Sequence, residues 1–277
     1  MKLAFSSLSC PSCTVDEIIQ FALKYGFQGV ELRTVQSTID LWDLNDFSPE
    51  ALPETRRRFQ SAGLEVVVVG TSISFAKDEP GWRSRQLELL EKFCVIAQGL
   101  NCPYLRVFGG PIPPGSTYEA ALERDIDGYR QAVKTAASYG VTLLFETHDD
   151  FSTSTSLLPL LGAVGNQAGV IWDILHPYRF GEPMEITCRN LLPYLRHVHV
   201  KDSSRYSKEG FDIVLPGQGT VPIREALSLL KDCGYEGYLC FEWEKHWHPE
   251  IQEAELALPE YVNYMRRYAK ELLHEQA

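Results

Sequence analysis

Four apolar runs in this 277-residue chain end on residues that bind cations or move protons. "LLFETH" supplies Glu146, "VIWD" Asp173, "RHVHVK" His199 and "LCFEWE" Glu242. A strand sends every second side chain to the same face. His148 therefore shares a face with Glu146, and Glu244 with Glu242. His197 and Lys201 share one with His199, a layer deeper and a layer further out. His176 follows Asp173 by three residues. Six of the seven histidines lie at or just past these strand ends; His274, near the C-terminus, is the exception. Core histidines scattered by chance would not sort in this way.

One unit recurs along the chain and must position these groups. A helix-like stretch ends at Gly, Asn or Pro, an apolar run follows, and a polar residue closes it. "KYGFQGVELR", "SAGLEVVVVG", "LNCPYLRVFGG", "SYGVTLLFETH", "GNQAGVIWDILH", "LPYLRHVHVKD" and "CGYEGYLCFEWE" repeat it, and the opening "MKLAFSS" makes eight strands. Gly or Asn after a helix supplies a left-handed cap. Short continuous apolar runs fit parallel strands covered on both sides. The intervening stretches are helical by period. "TVDEIIQFALKYG" opens on a Thr N-cap and sets Ile18, Phe21, Ala22 and Tyr25 on one face. Eight such units in this length predict a single (β/α)8 TIM barrel spanning 1–277 as one domain. A doubly wound sheet would want a Gly-rich phosphate turn after the first strand, and "SSLSCPSC" is not one.

Barrel active sites are built at the carboxyl ends of the strands. Glu146, Asp173, His199 and Glu242 would converge there from four adjacent strands. Three carboxylates aimed at one spot repel and raise one another's pKa. A divalent cation removes the conflict. Three oxygen ligands and one imidazole suit Mn²⁺ or Mg²⁺ foremost, with Co²⁺ or Zn²⁺ next. Any one of the four alone would read as an ordinary hydrogen-bonded strand end; all four in consecutive repeats do not. His197 reads as a core histidine or a support for the ligands. Glu31, Arg33 and Arg106 close earlier strands, where they either touch substrate or brace the barrel rim.

The motifs "FETHDD", "WDILH", "HVHVKDSSR" and "CFEWE" resemble signatures of the xylose isomerase-like TIM-barrel superfamily, in its sugar phosphate isomerase/epimerase branch. The resemblance spans essentially the whole chain. It implies one divalent ion on Glu146, Asp173, His199 and Glu242, and the two glutamates as acid/base groups on opposite sides of the substrate. It further implies that His176 and Arg205 contact substrate oxygens, as in ketose 3-epimerases. Lys201-Asp202 departs from those epimerases and looks more like inosose dehydratases and related lyases.

The expected reaction starts with removal of a carbon-bound proton beside a carbonyl chelated by the metal, with a carboxylate as base. Proton return gives isomerisation or epimerisation; loss of a β-hydroxyl gives dehydration, with Lys201 or His148 as acid. The leading expectation is a keto-sugar or keto-polyol isomerase/epimerase, in which Glu146 and Glu242 are catalytic and His148, His176, Lys201, Arg106 and Arg205 bind substrate. The alternative is a metal-dependent dehydratase of an inosose or dehydroshikimate-like ring. A phosphodiester-cleaving endonuclease of similar fold would need further histidines after strands two to four, absent from "VELRT", "VVVVGTS" and "LRVFGG". A non-catalytic sugar-binding barrel would not need a complete set of ligands and bases.

The formal net charge of −11 argues against nucleic acid as a partner. A small carbohydrate or polyol is the expected partner, and a homo-oligomer stays open. No segment has the apolar length of a membrane span, and serines interrupt the N-terminal apolar run, unlike a signal peptide. Seven irregularly spaced cysteines, Cys10-Pro-Ser-Cys13 among them, read as free thiols. The expected location is the cytoplasm.

Overall fold

The structure is a computed structural model that describes residues 1–274. Eight parallel strands close into a barrel: β1 (Lys2–Ser6), β2 (Gly29–Leu32), β3 (Glu65–Gly70), β4 (Tyr104–Phe108), β5 (Thr142–Glu146), β6 (Ala168–Asp173), β7 (Leu195–Val200) and, eighth, β10 (Tyr238–Phe241). Their order around the barrel is β1-β10-β7-β6-β5-β4-β3-β2. Between β7 and the eighth strand the chain inserts an antiparallel hairpin, β8 (Asp202–Tyr206) and β9 (Phe211–Val214), that the sequence reading did not anticipate. It lies at the mouth of the barrel. The Asp202 carboxylate fixes its base by accepting N–H bonds from Ser203, Gly217, Gly219 and Val221.

Helices wrap the outside, and their caps follow from sequence. In α1 (Val15–Tyr25), Thr14 and Glu17 form a reciprocal capping box, and Gly26 ends the helix at φ +83°. Val15, Ile18, Ile19 and Ala22 form its buried face, with Phe21 and Tyr25 at the edge, so the face is rotated slightly from the expected one. No helix among the described residues is long and apolar enough to cross a membrane.

Strand alternation divides the apolar residues into two sets. Outward-facing Phe145, Val170, Trp172, Val198, Val200 and Phe241 pack under the helices in one continuous shell. Inside the barrel, Ala4, Val67, Val68, Leu144, Ile171 and Cys240 form a small separate floor. Above that floor the interior turns polar: Glu31, Arg106, Glu146, Asp173, His197, His199, Lys201 and Glu242 are all buried. Burying a charge costs several kcal/mol per ion unless it is paired. The outer shell, at about 1.5–3 kcal/mol for each fully buried large apolar side chain, is what offsets that cost.

Candidate metal centre and active-site pocket

Glu146, Asp173, His199 and Glu242 lie at or next to the carboxyl ends of β5, β6, β7 and β10, and one ligand atom from each lies within 4.8 Å of all the others. His199 stands at the centre. Its Nδ1 is 3.1 Å from Glu146 Oε1 and 3.3 Å from Glu242 Oε2. Its Nε2 is 2.8 Å from Glu31 Oε2, which is itself 3.5 Å from His197 Nε2. Glu31 thus reaches neither the mouth nor the rim; it holds His199 from behind. His197 sits a layer lower and also lines a separate cavity of about 400 Å³ at the amino-terminal end of the strands.

Two cations are built into this belt. Arg106 Nη1 is 3.2 Å from Glu146 Oε2 and 3.0 Å from Glu242 Oε1. Lys201 Nζ is 2.8 Å from Asp173 Oδ2 and 2.5 Å from Glu242 Oε2, and it bonds Glu244 Oε1. Lys201 is fully buried. It therefore lies beside the four-residue cluster, closer than a position one layer further out suggests.

The electrostatics follow from this crowding. Burial disfavours the charged form of His199, but Glu242, Glu31 and Glu146 outweigh it and hold its pKa well above the ordinary value. Burial likewise opposes the Lys201 ammonium, yet Asp173, Glu242 and Glu244 raise its pKa well above the usual lysine value. Burial lifts the Asp173 carboxyl to about 6, helped by Glu242 and Glu146 and opposed by Lys201. Burial also lowers His176 well below its ordinary value, with His148, Lys201 and Arg179 adding to the effect.

Do these residues fit a divalent ion? Asp173 Oδ2 and Glu146 Oε2 are buried and accept no hydrogen bond among the described residues, although each faces a cation. The donors comprise three carboxylates and an imidazole whose far nitrogen is held by a carboxylate. That is the supported arrangement metal-binding histidines usually have. The set fits a hard divalent cation. A second close group, Glu31, His197, His199 and Cys240, lies beneath it and shares His199.

A pocket of about 420 Å³ opens above the cluster. Arg33, Arg106, His148, His176, Glu242 and Glu244 contribute to its wall, so four of the residues read from sequence as substrate contacts or catalytic groups meet there. The structure does not bring Arg205 to it. That side chain is 84% exposed on β8 and paired to Asp212 Oδ2 at 2.5 Å. The strand is exposed at Ser204 and Arg205 alike, beside a register shift in the hairpin, and this corrects the expected substrate contact. Arg179 stands in the pocket instead. From α6 (Leu175–Arg179), its Nε donates to His176 Nδ1 at 3.1 Å, and its Nη1 donates to the carbonyls of Ser207 and Lys208. It thereby ties the hairpin turn to the helix after β6 and leaves His176 Nε2 without a hydrogen-bond partner. Its one sequence signal was its position three residues beyond His176. Phe211 of the hairpin and Trp247 of the loop after β10 complete the wall.

A family model described as xylose isomerase-like TIM barrel matches residues 19–268. The chain belongs to the xylose isomerase-like TIM-barrel family. Its curated relatives in that family include a 3-dehydroshikimate dehydratase of Bacillus anthracis, 23% identical, over 87% of this chain and 89% of that one. An inosose isomerase of Halalkalibacterium halodurans is 24% identical over 87% of each chain. Among solved structures, the D-psicose 3-epimerase of Clostridium cellulolyticum H10 superposes with a TM-score of 0.80 at 18% identity, over 98% of this chain and 99% of that one. This xylose isomerase-like chain thus has both isomerases and dehydratases among its relatives, and the fold alone does not separate them.

Proposed function

We propose that the chain is a divalent-metal-dependent isomerase or epimerase of a keto-sugar or keto-polyol. The observation that carries this reading is the meeting of Glu146, Asp173, His199 and Glu242 in one buried cluster, with Glu242 in the wall of the pocket above it. A divalent cation held by these four residues, Mn²⁺ or Mg²⁺ foremost, would supply Lewis acidity toward a ketone oxygen and its neighbouring hydroxyl. Glu146 and Glu242 come from strands separated by β6 and β7. They can therefore approach a carbon between them from two sides, one taking its proton and the other returning one. Arg106, in ion-pair contact with both, holds them close together. His176 is neutral, with Nε2 free to donate to a substrate oxygen, and His148 lines the same wall.

Lys201 decides between this reading and its rival. An ammonium has three N–H donors, and three carboxylates already face them. None is left over for a departing hydroxyl, so Lys201 orients charge in the first reading. Two of those three partners, Asp173 and Glu242, are however members of the metal-binding quartet. If the ion claims them, Lys201 turns toward the pocket, and elimination of water becomes the second reading, with Lys201 as acid. The test is proton NMR in D₂O of the Mn²⁺-loaded protein with inosose, 3-dehydroshikimate and D-tagatose. Metal-dependent exchange of a carbon-bound proton is expected, without loss of water; an unsaturated product reverses the order, and no exchange with any of the three sinks both.

A further inference from the structure

Three buried cations face the pocket or its floor: Arg33, Arg106 and Lys201, which are 2%, 4% and 0% exposed. Arg106 and Lys201 are paired to carboxylates, as described above. Among the described residues, no carboxylate lies within ion-pair distance of Arg33. Its Nη2 donates to Ser72 Oγ at 2.5 Å, and its Nε, buried, has no hydrogen-bond partner. A guanidinium has five N–H donors, so most of this fork is unspent. Burying a cation without a partner is costly. Arg106 adds to the cost by repulsion, and the two side chains pack on either side of Gly70. A Cβ at Gly70 would lie 2.8 Å from Arg33 Cδ and 3.4 Å from Arg106 Nη2. Burial and this neighbour lower the Arg33 pKa to about 9, against the more distant attraction of Glu31, Glu242 and Asp40. Trp247 caps the group, its ring centroid 6.0 Å from the guanidinium carbon. Ser72, Arg33 and Trp247 all line the pocket above the metal-binding cluster.

We propose that Arg33, oriented by Ser72, binds a carboxylate of the substrate, so that the keto-polyol acted on carries an acid group and is a polyhydroxylated keto acid. This rests on the reading of the pocket as the site of proton abstraction beside a ketone. The planar fork matches a carboxylate in a bidentate pair. A phosphate dianion would want more donors than one guanidinium and one hydroxyl, and Arg106 is already engaged by Glu146 and Glu242.

The test is calorimetry on the Mn²⁺-loaded full chain with four probes: 3-dehydroshikimate, inosose, D-tagatose and D-fructose 6-phosphate. Wild type should bind the carboxylate-bearing probe at least tenfold more tightly than the neutral two. Arg33→Gln should weaken that probe by about 10- to 100-fold, as expected for a lost charge-assisted bidentate pair, and change inosose binding by less than about threefold. Arg33→Lys should recover part of the loss. Equal binding of acid and neutral probes by wild type, or equal losses for all probes in Arg33→Gln, would make Arg33 a brace and overturn the proposal. A loss confined to the phosphorylated probe would overturn the carboxylate assignment. If Arg33→Gln does not fold, the wild-type ranking of the four probes decides alone. The functional reading fails separately, through absence of proton exchange in D₂O, which calorimetry does not measure.

Discussion

Glu31 on β2 and His199 on β7 meet inside the barrel, Oε2 to Nε2, at 2.8 Å, across the two intervening strands β1 and β10. The contact fixes the imidazole plane and the nitrogen that faces Glu146 and Glu242. Loss of such a supporting carboxylate typically costs 10- to 100-fold in metal affinity. Glu31→Ala should therefore bind Mn²⁺ about 10- to 100-fold more weakly by calorimetry. An unaltered affinity would mean that packing alone orients His199.

Within the quartet itself the effect should be larger. Asp173→Asn and Glu242→Gln each remove an anionic ligand and leave the shape nearly unchanged. Metal content after gel filtration should fall below one ion per chain. Proton exchange at carbon should drop on the order of 10²–10⁴-fold, the range for losing a positioned acid or base. Full metal occupancy together with full exchange in both variants would remove the quartet from the mechanism.

Lys201→Met separates the two reactions. In an isomerase or epimerase, where the Lys201 donors go to Asp173, Glu242 and Glu244 and not to substrate, it should leave kcat and KM little changed at saturating Mn²⁺. In a dehydratase it should abolish water loss by about 10²–10⁴-fold while solvent exchange of the carbon-bound proton persists. Steady-state kinetics and NMR of the same sample read both.

Much of this was legible in sequence, for a physical reason. Strands buried on both faces must be continuously apolar, so "VVVV" and "GVIWD" announce themselves. Helix caps such as Thr14 and Gly26 mark the intervals. The four candidate ligands stand out because a polar residue ending an apolar run has few structural uses. Three features were not legible. The β8–β9 hairpin is held by one carboxylate and a set of backbone N–H groups, which no periodicity reports, and it is the hairpin that takes Arg205 to solvent. Lys201 reads as a mouth residue by alternation, yet its long flexible side chain turns toward three carboxylates contributed by other strands. Glu31 could be placed on the inner face, but its partner lies 168 positions away.

Away from the site, Asp125 on α4 (Tyr118–Ser138) makes stability depend on pH. It is buried, with Oδ1 accepting from Phe75 N at 2.9 Å and Oδ2 without a partner. Burial raises its pKa from 3.8 to about 8, against the Phe75 hydrogen bond and Arg124. A carboxyl raised in the folded state takes up a proton on folding. Its contribution is fully present below about pH 4 and is lost as pH climbs toward 8. Asp125→Asn keeps an acceptor for Phe75 and removes the titration. Its melting temperature relative to wild type should rise progressively between pH 5 and pH 8. A constant difference across that range would assign Asp125 no linkage.

The two faces of each strand answer to different demands. On β7, Val198 and Val200 belong to the shell under the helices, while His197 and His199 point inward. The inward floor comprises only six buried apolar side chains, so little of the hydrophobic driving force resides where the chemistry is. A residue on the inner face can change its charge or length without dismantling the shell that holds the barrel closed. Chains of this design can therefore drift from one reaction to another by exchanging a few inward side chains, such as Lys201 or Arg33, with no new folding problem to solve each time.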